Sequence, residues 1–302
     1  MISAGPLAVT GTNGRLGSAI VACLKKAGRD VRPWSRPDYD LDDAEAPARL
    51  VQRDHPVAVI HCAAWTDVDG CARDPATADR RNAWAVRDLA DACVRGGAGL
   101  VYISTNEVFD GKRADGNGYT ESDIPRPINA YGASKLQGER QANAVFGSWR
   151  PSAPARQAPK LWIVRTAWIY GPPGNDFLTK ILSAADRLLP GEPLPVVSDE
   201  VGSPTYSRDL ADGLVRLVFS ASPGLYHLAG SGAVSRSKWA EEIFRLCRRS
   251  RQVSPILRKD YLRASMAPGW AVLDSGRAAR AGIALQRWEA ATAEYGRELC
   301  PG

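Results

Sequence analysis

The sequence predicts an α/β fold: a doubly wound parallel sheet with a smaller mixed α/β lobe. Three observations carry this. Short apolar runs at residues 7–9, around Val31, and at 57–60, 100–103 and 161–164 are continuous rather than alternating, as strands buried on both faces are. Helix-patterned stretches at 16–27, 44–53, 79–95 and 130–146 separate them, the alternation that covers a parallel sheet with helices on both sides. A glycine-rich turn joins the first strand to the first helix.

The chain reaches its first strand, Leu7-Ala8-Val9-Thr10, with no basic region and apolar core ahead of it, so no signal peptide is expected. The turn that follows, Gly11-Thr12-Asn13-Gly14-Arg15-Leu16-Gly17, has the spacing G-x-x-G-x-x-G. Glycines permit a tight turn and let backbone N–H groups approach a pyrophosphate at a helix N-terminus. With 28 glycines in the chain the spacing alone is weak, and its placement between strand and helix gives it weight. This is the Rossmann arrangement. The second strand ends near Trp34, where an acidic residue would hold the adenosine ribose of NAD. Here Ser35-Arg36 follows instead. A hydroxyl and a guanidinium suit a 2′-phosphate, which favours NADPH, with NADH still possible and a plain surface arginine as the structural alternative. Asp40 and Leu41 lie just beyond, where they could flank the adenine.

The fourth strand ends at Ile103-Ser104-Thr105, and ligands of open α/β sheets bind outside such strand ends. The following helix opens with Tyr131-Gly132-Ala133-Ser134-Lys135. A spacing of four puts Tyr131 and Lys135 on one helix face. A free tyrosine has a pKa of about 10, and a nearby ammonium is expected to lower it, so that Tyr131 can hand a proton to a carbonyl oxygen. Thr105 is placed to hydrogen-bond the same oxygen, and Lys135 to hold the nicotinamide ribose. His61 lies beside the cofactor path without a nucleophile or metal partner. His227 and Asn82 read as structural.

After Val164 the pattern loosens. Turn-rich segments at 172–174, 190–195 and 198–204 are interrupted by helix-like 177–188, 208–220 and 237–249. The expected division is a dinucleotide domain, residues 1–166 with about 208–225, and a discontinuous smaller lobe within 167–302. Residues 148–159 read as a surface loop. The basic stretch 245–251 reads as a solvated helix end, with a role in holding a pyrophosphate as the alternative. The 302 residues are 44% hydrophobic and carry a net charge of +6, which suits an anionic ligand but is too small to argue for nucleic acid. No apolar run reaches the roughly 20 residues of a membrane span. The six cysteines show no C-x-x-C spacing, which argues against zinc and points to reduced thiols and a cytoplasmic home.

The segments His61-Cys62-Ala63-Ala64-Trp65-Thr66-Asp67-Val68-Asp69, Ser104-Thr105-Asn106-Glu107-Val108-Phe109-Asp110-Gly111, Asn129 to Glu139, Arg165-Thr166-Ala167-Trp168-Ile169-Tyr170-Gly171 and Gly202-Ser203-Pro204-Thr205, with the glycine turn, come in the order of one family. The chain resembles an extended short-chain dehydrogenase/reductase, and within that group the dTDP-4-dehydrorhamnose reductase family. The resemblance implies an NADPH-dependent 4-ketoreductase of nucleotide-linked deoxysugars, active as a monomer or homodimer. It implies a Thr105-Tyr131-Lys135 triad, cofactor contacts from Gly14, Arg15, Leu16, Ala63, Ala64, Trp65 and Thr66, and substrate contacts near Val68, Asp69, Thr105, Asn106, Glu107 and Trp168. The alternatives are a sugar-nucleotide epimerase or dehydratase, or a non-catalytic NADP(H)-binding subunit. Two segments depart from the family: Asn106-Glu107 replaces Asp-Tyr, and Ala267-Pro268-Gly269-Trp270 stands where an Arg-Pro-x-Asn-like segment is expected.

Overall fold

In the computed structural model, which describes residues 5–148 and 158–301, the five apolar runs are five strands. They are β1 (Leu7–Thr10), β2 (Val31–Trp34), β3 (Ala58–His61), β4 (Gly99–Thr105) and β5 (Leu161–Thr166). Between them lie α1 (Arg15–Lys26), α2 (Ala46–Asp54), α3 (Val68–Arg73), α4 (Pro75–Asp79), α5 (Ala85–Arg95) and α6 (Ala130–Ser148). The second half adds β6 (Ile169–Tyr170), α7 (Phe177–Asp186), β7 (Leu194–Val197), β8 (Val201–Gly202), β9 (Thr205–Tyr206), α8 (Ser207–Ser220) and β10 (Gly224–His227). It ends with β11 (Val234–Ser235), α9 (Arg236–Leu246), β12 (Val253–Ile256), α10 (Gly276–Arg280) and α11 (Trp288–Leu299). Most of the loop expected at 148–159 lies outside the described residues.

The main sheet has six strands in the order β2-β1-β3-β4-β5-β10, all paired in parallel. Every residue of β1, β3 and β4 is buried, which is why those runs carry no polar alternation. Successive side chains still point to opposite faces. Leu7, Val9, Ile60, Val101 and Ile103 join a core under α1 and α8, while Ala8, Val59, Leu100 and Tyr102 join one under α2 and α5. β2 tolerates exposed Arg32 and Pro33 because it is the sheet edge. The other edge, β10, comes from the second half of the chain, and α8 before it packs its Leu210, Leu214 and Leu217 with Leu16, Ile20 and Leu24 of α1.

Two expectations are corrected. The stretch 79–95 is not one helix: a π-helical turn, Arg80–Trp84, separates α4 from α5. Asp74 caps α4 by accepting from Thr77 N at 3.0 Å, and the wide turn then aims Asn82 inward. The cysteines are not all reduced, because Cys247 and Cys300 form a disulfide with Cα atoms 5.4 Å apart. They stand one residue past the ends of α9 and α11, which lie side by side in one core with Trp239, Ile243, Ala291 and Tyr295. Cys23, Cys62, Cys71 and Cys93 are free thiols. The basic stretch holds structure together: Arg251 donates to the Ala185, Leu189 and Glu192 carbonyls, and Arg249 pairs with Asp186 at 3.2 Å.

Behind β4 lies a buried ion pair. Arg165 of β5 reaches Glu139 of α6 through two hydrogen bonds, 2.9 and 2.7 Å, and Ser104 donates to the same carboxylate at 2.5 Å. Removing one partner leaves a buried charge uncompensated, at a cost of about 3–5 kcal/mol. Arg165→Met is therefore expected to lower the urea midpoint by that stability, and the double variant Glu139→Leu/Arg165→Met to recover most of it. Equal losses in the single and double variants would show that the charges are not what matters there.

Candidate active site

The cleft is built at the point where the strand order reverses, between β1 and β3. Gly11, at φ +66°, sits so close to β3's exit that a Cβ would lie 2.8 Å from Ala63 N, and a Cβ on Gly17 would lie 2.3 Å from Gly11 O. Gly14 N donates to Gly11 O at 2.9 Å, closing the turn. α1 has neither a side-chain cap nor an acidic residue in its first turn, so its N-terminus suits an anion. The cleft holds about 550 Å³. It is lined by Gly11, Asn13, Gly14, Arg15, Leu16 and Gly17 of the turn, by Ser35, Arg36, Asp40 and Leu41 after β2, and by Ala63, Ala64, Trp65 and Thr66 after β3. A turn that only glycine fits, a cationic rim and this volume match a dinucleotide. The Arg15 guanidinium is tied elsewhere, donating to the Gly174 and Asn175 carbonyls.

The lining also includes Tyr39, Asp42, Cys62, Arg81 and Ile169, which sequence reasoning missed. Arg81 donates through Nε to Asp42 at 3.0 Å, and Arg80 shares the same carboxylate at 3.1 Å. These hydrogen bonds, Arg81's above all, hold Asp42 down at about 2. No local pattern announces a pair joined across the loop after β2 and the π turn.

Two polar groups fix the wall after β3. The Thr10 hydroxyl accepts from Cys62 N and Ala63 N at 3.1 and 3.0 Å, so its one proton goes to His61 Nδ1, 2.8 Å away. His61 is thus neutral, and burial pushes it down to about 3. Asn82 accepts from Trp65 N at 2.8 Å and donates to Trp65 O and Ser134 Oγ at 3.0 and 3.1 Å. Asn82 is engaged in holding this wall, which fits the structural reading of its sequence context.

Thr105 ends β4, and its hydroxyl lies near enough to the Tyr131 phenol to act on its ionisation. Tyr131 and Lys135 lie one turn apart near the start of α6. The Lys135 ammonium stands 4.1 Å from the centroid of the Tyr102 ring. Burial lowers Lys135 to about 7, opposed by the Glu139 carboxylate. The expected drop in the tyrosine pKa is corrected: burial raises Tyr131, the Glu107 charge adds to this, and only the nearby Thr105 hydroxyl opposes it. The reason is that a desolvated phenol is hard to ionise and Lys135 is itself held towards its neutral form.

The sugar-side candidates divide. Glu107 faces the site beside Tyr131; burial raises its pKa, against a 2.7 Å hydrogen bond from Asn129 and the charges of Arg263 and Arg236. Asn106 bridges inward, donating to Ala271 O at 3.0 Å and accepting from Thr105. Val68 opens α3, and Asp69 beside it accepts from Ser265 N and Oγ at 2.9 and 2.7 Å and pairs with Arg263 at 3.4 Å. Trp168 has φ +42°, a strained conformation for a bulky residue that persists where its surroundings over-determine it. They do: the Arg236 guanidinium lies 3.5 Å from its ring centroid, and a Cβ on Gly202 would fall 2.5 Å from Cε2. In the departing segment, Arg258 donates to Ala267 O at 2.8 Å and pairs with Asp199 at 3.1 Å.

Fold and site together define an α/β dinucleotide-binding protein with a Thr-Tyr-Lys constellation at the strand ends. Residues 6–300 match the family described as RmlD substrate binding domain, and the chain belongs to that family. It is 36% identical over 294 residues to a dTDP-4-dehydrorhamnose reductase of Mycobacterium tuberculosis, covering 95% of this chain and 91% of that one. A Streptomyces griseus enzyme of the same name is 35% identical over 97% of this chain and 93% of its own. The crystal structure of Bacillus anthracis dTDP-4-dehydrorhamnose reductase in complex with NADP superposes with a TM-score of 0.88 at 31% identity, covering 98% of this chain and all of that one.

Lys135 has a pH signature. Its pKa falls from 10.5 to about 7 on folding, so between those values the unfolded chain binds the extra proton and stability rises with pH. In cofactor-free protein, the stability difference between Lys135→Met and the native chain should therefore shrink steadily from pH 7 to 10. A difference independent of pH would contradict the burial of this amine.

Proposed function

We propose that this chain reduces the C4 ketone of a nucleotide-linked 4-keto-6-deoxyhexose, with dTDP as the carrier and NADPH as the reductant. The observation that carries the reading is the placement of Thr105, at the end of β4, next to Tyr131 and Lys135 of α6 and beside a cleft shaped for a dinucleotide. When bound, NADPH supplies the hydride. Tyr131 donates its proton to the ketone oxygen, and burial keeps the phenol in the protonated form that a donor needs. The Thr105 hydroxyl steadies the same oxygen as charge develops on it. Lys135 holds the nicotinamide ribose, with Glu139 sustaining its charge.

The cofactor is held by the Gly11–Gly17 turn, by Ser35, Arg36, Asp40 and Leu41, and by Ala63, Ala64, Trp65 and Thr66. Val68, Asp69, Asn106, Glu107 and Trp168 read the sugar nucleotide, Asp69 and Trp168 as members of the packed wall. The first 166 residues with about 208–225 form the cofactor domain, and the rest the substrate lobe. The enzyme works as a monomer or homodimer in the cytoplasm. The four free thiols favour that compartment and the Cys247–Cys300 bridge opposes it. Among the described residues no helix is long and apolar enough to cross a membrane.

The test is a panel of dTDP- and UDP-linked 4-keto-6-deoxy sugars with NADPH or NADH. One NADPH oxidised per sugar alcohol formed, with the dTDP sugars preferred, is expected. Isomerised or dehydrated sugar without net oxidation would make the chain an epimerase or dehydratase. Cofactor binding with no turnover of any sugar would make it a binding subunit.

A further inference from the structure

The adenosine end of the cleft carries a second arginine besides Arg36. Arg81 lines the cleft from the π turn, far from β2 in sequence, and its guanidinium lies 5.6 Å from the centroid of the Trp65 ring. It meets Asp42 through Nε and Nη2. A guanidinium has five N–H donors, and a two-point contact with one carboxylate engages two of them. Three remain, on a side chain that is 33% exposed. Arg36 lines the same cleft and has no ion pair among the described residues. The carboxylates there are Asp40 and Asp42, and Asp42 is already shared between Arg80 and Arg81. Arg80 and Asp74 stand just outside the lining, so three guanidiniums meet three carboxylates, and what Arg81 offers an anion is its free donors. The Asp42 contacts also fix the orientation of Arg81, so fewer rotamers are lost when it meets an anion.

We infer that Arg81, aimed by Asp42, is a second arginine for the 2′-phosphate of NADPH and sets the preference for NADPH over NADH together with Arg36. The inference rests on the NADPH reading above. Asp42 is the positioning residue. Its two-point contact leaves the Nη1 group of Arg81 unused, while Arg80 shares its negative charge and lessens its repulsion of a phosphate.

The experiment measures binding, by calorimetry on the intact cofactor-free protein, of NADPH, NADH, 2′,5′-ADP and 5′-ADP. Arg81→Ala should weaken NADPH and 2′,5′-ADP at least tenfold more than NADH and 5′-ADP, and Arg81→Lys should recover part of that loss. Asp42→Asn should reduce the same selectivity less, about threefold, because it loosens Arg81 without removing it. A binding slope against salt concentration that is shallower for the Arg81→Ala variant with 2′,5′-ADP would support the direct charge contact. Equal weakening of all four ligands would overturn the inference and make Arg81 a wall residue. Native protein that binds 2′,5′-ADP no better than 5′-ADP would overturn the NADPH reading itself. Native selectivity with no sugar reduction would leave this inference standing and remove only the proposed reaction.

Discussion

One side chain joins the two halves of the site. The Asn82 amide accepts from the Trp65 backbone N–H, donates to the Trp65 carbonyl and donates to Ser134 Oγ on α6. The loop after β3 forms one wall of the dinucleotide cleft, and α6 carries Tyr131 and Lys135. Without that amide, the Trp65 N–H would lose its partner, its carbonyl would keep only the long Cys71 thiol contact, and cleft and catalytic helix could shift independently. The π turn serves this contact, because it aims Asn82 into the gap while α5 continues behind it. Gly138 completes the fit: a Cβ there would stand 2.4 Å from the Asn82 carbonyl oxygen.

Burial governs the chemistry on the far side of that joint. Tyr131 is kept protonated, Lys135 is drawn down to about 7, and His61 stays neutral beside Thr10. The counterweight is the Ser104–Glu139–Arg165 cluster one turn along α6, whose carboxylate favours the charged form of Lys135. A site of this kind is poised for a charged cofactor and a ketone. Each has a neutral donor or a cation waiting in a place partly withdrawn from water.

Much of this was legible in the sequence because it is local. Strand runs such as 100–103 show burial on both faces directly, and Tyr131 and Lys135 share a helix face by spacing alone. Thr105 could be added because strand ends face the crevice in any parallel sheet. What was not legible depends on distant residues meeting. Asp42 and Arg81 look like one loop charge and one helix charge until the fold brings the loop after β2 beside the π turn. Trp168 is a substrate-side candidate by its motif position, and the packing of Arg236 and Gly202 at its ring cannot be read from that position. Cys247 and Cys300 have no telling spacing, since only the parallel ends of α9 and α11 bring them together. The tyrosine pKa was misjudged for the same reason. Spacing gives a neighbouring ammonium, but depth of burial decides the direction.

The central claim is that Tyr131 is the proton donor to a ketone reduced by a dinucleotide held next to it. Single-turnover reduction of a dTDP-linked 4-keto-6-deoxy sugar by the preformed NADPH complex of Tyr131→Phe tests it most directly. The substitution removes one hydroxyl and leaves the ring packing. The expected result is a rate lowered by about 10² to 10⁴-fold with NADPH affinity within about twofold of the native value. A rate within a few-fold of native, with the cofactor still bound, would contradict it.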